Sequence, residues 1–171
     1  NNYPVGKSLV EKNLIQEANN IQLKAKKLNC ELILPIDILC GKNMHDKNPV
    51  HRKINEVLPE EMMLDIGDAS TQFISNKIIN SKMVLWNGPV GAFEFKPYDK
   101  ATNVIANVIK LNAKKLNINT LAGGGDTVSA IKNTHTEDGF NYISNAGGAF
   151  LEWLEGNESP GVKSLKENNF I

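Results

Sequence analysis

Three short apolar runs in this chain each end in a glycine-bearing turn. Lys82-Met-Val-Leu-Trp86 runs into Asn87-Gly88-Pro89-Val90-Gly91. Ile118-Asn-Thr-Leu-Ala122 runs into Gly123-Gly124-Gly125-Asp126-Thr127, and Asn141-Tyr-Ile-Ser144 into Asn145-Ala146-Gly147-Gly148. Short apolar runs bounded by turn residues read as strands, and helical patterns lie between them. Strand–helix alternation implies βα units and a parallel sheet with helices on its faces, an α/β fold. In such a sheet all strand C-termini share one edge, so the three turns converge there whatever the strand order. Open α/β sheets bind ligands at that edge. Glycine lets the backbone approach a ligand and aim several N–H groups at it. The last two turns also open helices, whose N-termini favour anions.

Composition narrows how an anion would be gripped. Lysine plus arginine total 19 and aspartate plus glutamate total 19, and Arg52 is the one arginine. A neutral chain lacks the basic surplus that nucleic acid or an anionic membrane would need. Side-chain forks for phosphate are arginine's speciality. A phosphate ligand here therefore relies on backbone N–H groups, lysine or a metal. No apolar run approaches the about 20 residues of a membrane helix. Cys30 and Cys40 form no CxxC pair and read as buried thiols in a reducing, cytoplasmic setting. His45, His51 and His135 are scattered through polar stretches and read as surface residues.

Elsewhere, Leu14, Ala18, Ile21, Ala25 and Leu28 make one apolar stripe, which predicts a helix over about 15–28. Glu31-Leu-Ile-Leu-Pro-Ile36 reads as a buried strand, and residues 43–52 as a polar loop. A short strand is expected within 57–66, with Leu64 and Ile66 facing inward. Asp68 or Ser70 is suited to cap a helix over 71–80. Pro97 suits the first turn of a helix. That helix carries Ala101, Val104, Ile105, Val108 and Leu111 on its apolar face. Helices over about 127–132 and 149–155 follow, the last ended by Gly156 and Pro160.

Individual residues at the glycine edge have two readings. Asp126 fits an ordinary N-cap or a Mg²⁺ ligand beside phosphates, since Mg²⁺ takes one or two carboxylates plus phosphate oxygens. Thr127 has the same two roles. Glu94 fits a surface carboxylate or a ribose acceptor. Trp86 reads as core. No Walker A lysine, HExxH, catalytic triad or GxGxxG fingerprint is present, and the last absence argues against a dehydrogenase-like dinucleotide domain.

Together, Val84-Leu-Trp-Asn-Gly-Pro-Val-Gly-Ala-Phe-Glu94, Leu121-Ala-Gly-Gly-Gly-Asp-Thr127 and Ile143-Ser-Asn-Ala-Gly-Gly-Ala-Phe-Leu-Glu152 resemble phosphoglycerate kinase, with the bacterial branch closer. Gly6-Lys-Ser-Leu9, Leu34-Pro-Ile-Asp37, Leu64-Asp-Ile-Gly67, Glu155-Gly156 and Pro160-Gly161-Val162 add to the match. The resemblance implies a three-layer Rossmann-like sheet, incomplete here. It implies that residues 1–171 are the later part of a C-terminal nucleotide-binding domain, with the N-terminal substrate domain absent. The implied reaction is reversible, Mg²⁺-dependent phosphoryl transfer between ATP and 3-phosphoglycerate in glycolysis, by a cytoplasmic monomer with no nucleic-acid or membrane partner. Asn87, Gly124 and Gly125 would approach the phosphates, with Asp126 on Mg²⁺ and Thr127 beside it. Pro89 and Val90 would flank the adenosine, Glu94 would bind ribose, and Met63 and Leu64 would line the base side. Gly147 and Gly148 would belong to the helix N-terminus that stabilises the transferring phosphoryl group.

The sequence departs from the family where Ser144-Asn145-Ala146-Gly147-Gly148 replaces the usual Ser-Thr-Gly-Gly-Gly. Asn145 can still cap a helix, but Ala146 lacks glycine's conformational freedom. Ala92 and Met63 replace a usual valine and glycine. The expectation is that the segment alone has no kinase activity. The alternative is a non-catalytic nucleotide-binding module or an inert fragment.

Overall fold

The computed structural model describes residues 3–156 and 160–167. They form two compact units, Asn1–Asn76 with Val90–Ile105, and Lys77–Pro89 with Ala106–Ile171. The elements run α1 (Ile15–Lys27), β1 (Asp37–Gly41), β2 (Val50–Lys53), β3 (Met62–Ile66), α2 (Asp68–Ile79), β4 (Met83–Asn87), α3 (Lys100–Leu116), β5 (Asn119–Gly123), α4 (Gly125–Asn133), β6 (Tyr142–Ser144), α5 (Gly147–Leu154) and α6 (Pro160–Glu167). No helix among the described residues is long and apolar enough to cross a membrane.

The second unit carries the expected parallel sheet, in the order β4-β5-β6. Asn87 pairs with Gly123, and Gly123 with Ser144, so the three strands end in one row. Helices α4 and α5 pack against β5. The core here is well closed. Ala106, Ile109, Ala122, Ala130 and Ile131 are almost wholly buried, and each large aliphatic among them contributes about 1.5–3 kcal/mol. Trp86 is core, as expected. It stacks on Phe140 at 6.0 Å, and its indole N–H donates to the Gly88 carbonyl at 2.8 Å.

The first unit departs from the sequence expectation in several places. Its sheet is antiparallel, in the order β2-β1-β3. Residues 43–52 are not all loop, because Val50–Lys53 forms β2. This polar edge strand exists through main-chain pairing with β1 rather than apolar alternation, and charged side chains are usual on such edges. Conversely, residues 31–36 are not a strand. No strand among the described residues pairs with them, and an apolar run without a ladder partner stays irregular. Leu32, Leu34 and Ile36 are consequently exposed, and so is Cys30, which was expected to be buried. Cys40 is buried, and burial, with Glu61 nearby, pushes its thiol up to about 11.

Helix α1 follows the predicted bounds, yet none of its residues is buried. Helix α3 starts at Lys100, three residues after Pro97. The Asp65 carboxylate accepts the Ala101 N–H at 3.0 Å and marks that start, so proline does not occupy the first turn. The buried face of α3 also differs. Ala101 and Ile105 are buried as expected, joined by Thr102, Ala106 and Ile109, while Val104 and Leu111 are exposed. The α2 N-terminus is held by a residue distant in sequence. Asp37 accepts the N–H groups of Ala69 at 3.0 Å and Ser70 at 2.7 Å. Burial opposes the charged form of Asp37, but the Ser70 and Ala69 hydrogen bonds outweigh it and hold the carboxyl below its ordinary range. Pro160 opens α6 rather than closing α5, which proline's fixed φ permits at a helix's first residue. Residues 157–159, between Gly156 and Pro160, lie outside the described residues.

Candidate functional site

In the second unit the glycine edge is assembled from three turns. Gly88 N–H donates to Thr127 Oγ1 at 2.7 Å, tying the β4 turn to α4. Gly124 N–H donates to the Ser144 carbonyl at 3.3 Å, tying the β5 turn to β6. Gly124 sits at φ +98, and a Cβ there would lie 3.4 Å from Asn87 Oδ1 and 3.6 Å from Thr127 Oγ1. A Cβ on Gly147 would fall 2.4 Å from the Gly124 Cα. Backbone therefore packs on backbone here, and no side chain fits between the α5 start and the β5 turn. Gly88, Gly125 and Gly148 have nothing within 4 Å of a Cβ position, so all three border open space. Two helix N-termini, at Gly125 and Gly147, open at this edge.

Asn87 and Asp126 are exposed, Pro89 is half-buried, and Thr127 is buried. The structure gives Thr127 a tether, a role outside the two read from the sequence, and the N-cap of α4 is Gly124 with no side-chain cap. Its hydroxyl receives the Gly88 N–H. Asp126 lies in the first turn of α4. The Ala146 departure is accommodated: Ala146 is absent from the residues with positive φ, and its N–H donates to Ser144 Oγ at 3.2 Å. Among the described residues no three His, Cys, Asp or Glu side chains gather as a metal cage. A single exposed carboxylate beside two helix N-termini would instead suit Mg²⁺ carried in with phosphates, its other positions being taken by phosphate oxygens and water.

In the first unit, residues 90–99 form a turn fastened at several points. Thr102 Oγ1 accepts the Val90 N–H at 3.1 Å and donates to the Val90 carbonyl. Ala92 N–H donates to the Leu64 carbonyl at 2.6 Å. Tyr98 is wholly buried with Leu39 and Leu64, and Ala92 and Phe95 pack on that cluster. Glu94 is exposed, and Val90 is half-buried. Met63 and Leu64 are neighbours on β3 and face opposite sides of the sheet, as adjacent strand residues do. Leu64 joins the Tyr98 cluster, whereas Met63 packs against Ile38, Cys40 and Val57. Arg52 holds Glu61 through three contacts of 2.7–3.1 Å. That pairing keeps the Glu61 carboxyl below its ordinary range and occupies the chain's one arginine. His45, His51 and His135 are exposed, as expected.

Two residues that hold the 90–99 turn from neighbouring elements escaped the sequence reading. Thr102 carried no signal beyond its place on the buried side of a helix. Asp65 did carry one, as a lone carboxylate inside the apolar run Met62-Met-Leu-Asp-Ile66. Burial pushes its carboxyl up to about 7, against the opposing pull of the Ala101 and Ile66 N–H groups.

A family model for phosphoglycerate kinase matches residues 1–157. Phosphoglycerate kinase of Rhodospirillum centenum is 44% identical over 164 residues, which cover 95% of this chain and 41% of that protein. The Xanthobacter flavus enzyme is 43% identical with the same coverage. The solved structure of phosphoglycerate kinase from Coxiella burnetii matches with a TM-score of 0.89 at 30% identity, over 98% of this chain and 42% of that one. The Pyrococcus horikoshii structure, at TM-score 0.74 and 20% identity over 91% of this chain and 38% of that one, supports the fold. The chain thus spans about two-fifths of the length of the curated relatives it matches. With the motifs, the parallel sheet and the family match in agreement, the chain belongs to the phosphoglycerate kinase family.

Proposed function

We propose that this chain is the later part of the C-terminal nucleotide-binding domain of a phosphoglycerate kinase, and that its glycine edge holds the phosphates of ATP or ADP. The whole enzyme would move a phosphoryl group reversibly between ATP and 3-phosphoglycerate, as a cytoplasmic monomer in glycolysis. The 3-phosphoglycerate would be bound by the family's N-terminal domain, outside these 171 residues. One observation carries the reading: Gly124 and Gly147 pack backbone to backbone, and this brings the N-termini of α4 and α5 together beside open space.

In this reading Gly124 and Gly125 offer backbone N–H groups to the phosphates, and Asn87 lies alongside them. Gly147 and Gly148 at the start of α5 stabilise the negative charge that grows on the phosphoryl group in flight, as preorganised donors do. Thr127 keeps the β4 turn against α4. Asp126 would hold Mg²⁺, which when bound neutralises phosphate charge during transfer. Pro89 and Val90 are assigned to the adenosine. In the first unit, Glu94 is assigned to the ribose, and Met63 and Leu64 to the base side. The resemblance supports these last assignments. The near-complete burial of Leu64 leaves its side chain little surface for a ligand.

The isolated chain is expected to lack kinase activity, because the reaction needs both substrates positioned together. Calorimetric titration of the 171-residue chain with ADP, with and without Mg²⁺, tests the site. Binding that Mg²⁺ strengthens, and that Asp126→Ala weakens only when Mg²⁺ is present, is the expected result. No binding of ADP in either condition would favour the alternative of an inert fragment. Binding without turnover is what both the parent-enzyme reading and a non-catalytic module predict. Phosphoryl transfer by the chain alone would refute its inactivity.

A further inference from the structure

We infer that Asp65 is a positioning residue for the 90–94 turn, acting through its buried carboxylate rather than by touching a nucleotide. The inference rests on the proposed role of Val90 and Glu94, and the geometry that carries it lies within the first unit. Asp65 is 3% exposed. Its Oδ1 accepts its neighbour Ile66's N–H at 2.9 Å, and its Oδ2 accepts the Ala101 N–H at 3.0 Å. The carboxylate therefore joins β3 to the first turn of α3. The turn lies directly on this carboxylate. A Cβ on Gly91 would come 2.4 Å from Asp65 Oδ1 and 2.7 Å from the Leu64 carbonyl oxygen, and Gly91 has φ +65.

Three attachments thus set where residues 90–94 lie. Thr102, one residue after Ala101, holds both backbone groups of Val90. The Leu64 carbonyl, one residue before Asp65, holds the Ala92 N–H. Asp65 fixes the separation of the two elements that supply these bonds, and Gly91 fills the gap above it. A buried carboxylate is costly to desolvate, and Asp99 nearby adds repulsion. An apolar side chain would fill β3 with less penalty, but it could not accept the α3 N–H.

Asp65→Asn keeps the shape and removes the charge, and it can be read with and without ligand. Without ligand, amide hydrogen exchange at Ala92 should quicken by about tenfold or more, while β1 amides in the same unit keep their wild-type rates. With ligand, ADP affinity should fall by about tenfold, while the ratio of affinities with and without Mg²⁺ stays at the wild-type value because Asp126 is untouched. Gly91→Ala approaches the same contact from the turn and should give the same pattern. The double variant should lose less than the sum of the two single losses. Exchange that is unchanged at Ala92, or that rises equally across β1, overturns the assignment. If the wild-type chain binds no ADP, the nucleotide reading fails, and the exchange measurement still decides what Asp65 does.

Discussion

Helix α1 and helix α4 make an instructive pair. The sequence pattern predicts a helix at each, with an apolar stripe on α1 and Val128, Ala130 and Ile131 as the apolar residues of α4. In α4, Val128, Ala130 and Ile131 are buried. In α1 nothing is buried, and Leu14, Ile21 and Leu28 stand about half exposed or more. The segments beside them differ in the same way. Residues 119–123 next to α4 pair on both sides within the parallel sheet, whereas residues 31–36 after α1 pair with no strand among those described. A stripe states which face of a helix is apolar; burial also requires an element to lie against that face.

The contrast can be broken by substitution, taking the largest expected effect first. Ile131→Ala should cost about 2–5 kcal/mol in chemical denaturation, because it leaves a cavity in a closed core. A cost below that of an exposed site would mean that the second unit is looser than it looks. Gly147→Ala should cost about 1–3 kcal/mol by the same measurement, since the added methyl meets the Gly124 backbone. Asp65 supplies a pH signature in the first unit. Its raised pKa means that the folded chain binds more protons than the unfolded chain between about pH 4 and 7. Stability should therefore fall as pH rises through that window, by about 3 kcal/mol, and Asp65→Asn should flatten the slope. Asp99 and Lys100 also bear on this carboxyl, in opposite directions. Thermal melts at a series of pH values give the slope, and a rise in stability across the window would contradict it. Thr127→Val should cost about 1–2 kcal/mol by orphaning the Gly88 N–H. Ile21→Ala on α1 should change stability by less than about 0.5 kcal/mol. A large loss there would show that the α1 stripe is covered in solution, and would remove the contrast.

Much of the candidate site was legible because its signals are local. A strand followed by glycines marks a turn and its edge, and parallel pairing aligns such turns without further information. The register Asn87–Gly123–Ser144 bears this out. The contact between Gly124 and Gly147 was not legible, since it joins two separate turns. The cap on α2 was also hidden. Asp37 lies more than thirty residues from the N–H groups it receives, whereas Asp68 and Ser70 are the cap candidates close in sequence. Thr102 and Asp65 were missed for a related reason: each matters through a partner that the sequence does not name.

The sequence by itself determined the α/β class, the strand–turn–helix units of the second unit, the family, and which glycine-bearing turns share one sheet edge. These depend on short-range patterns and on motif spacing. Tertiary structure alone decided that β2 forms from a polar segment, that residues 31–36 pair with no strand among the described residues, that Arg52 is committed to Glu61, and that Asp65 is buried beneath Gly91. Each of these depends on which distant backbone or side chain lies alongside, and a hydrogen bond or a buried face exists only where both partners are present.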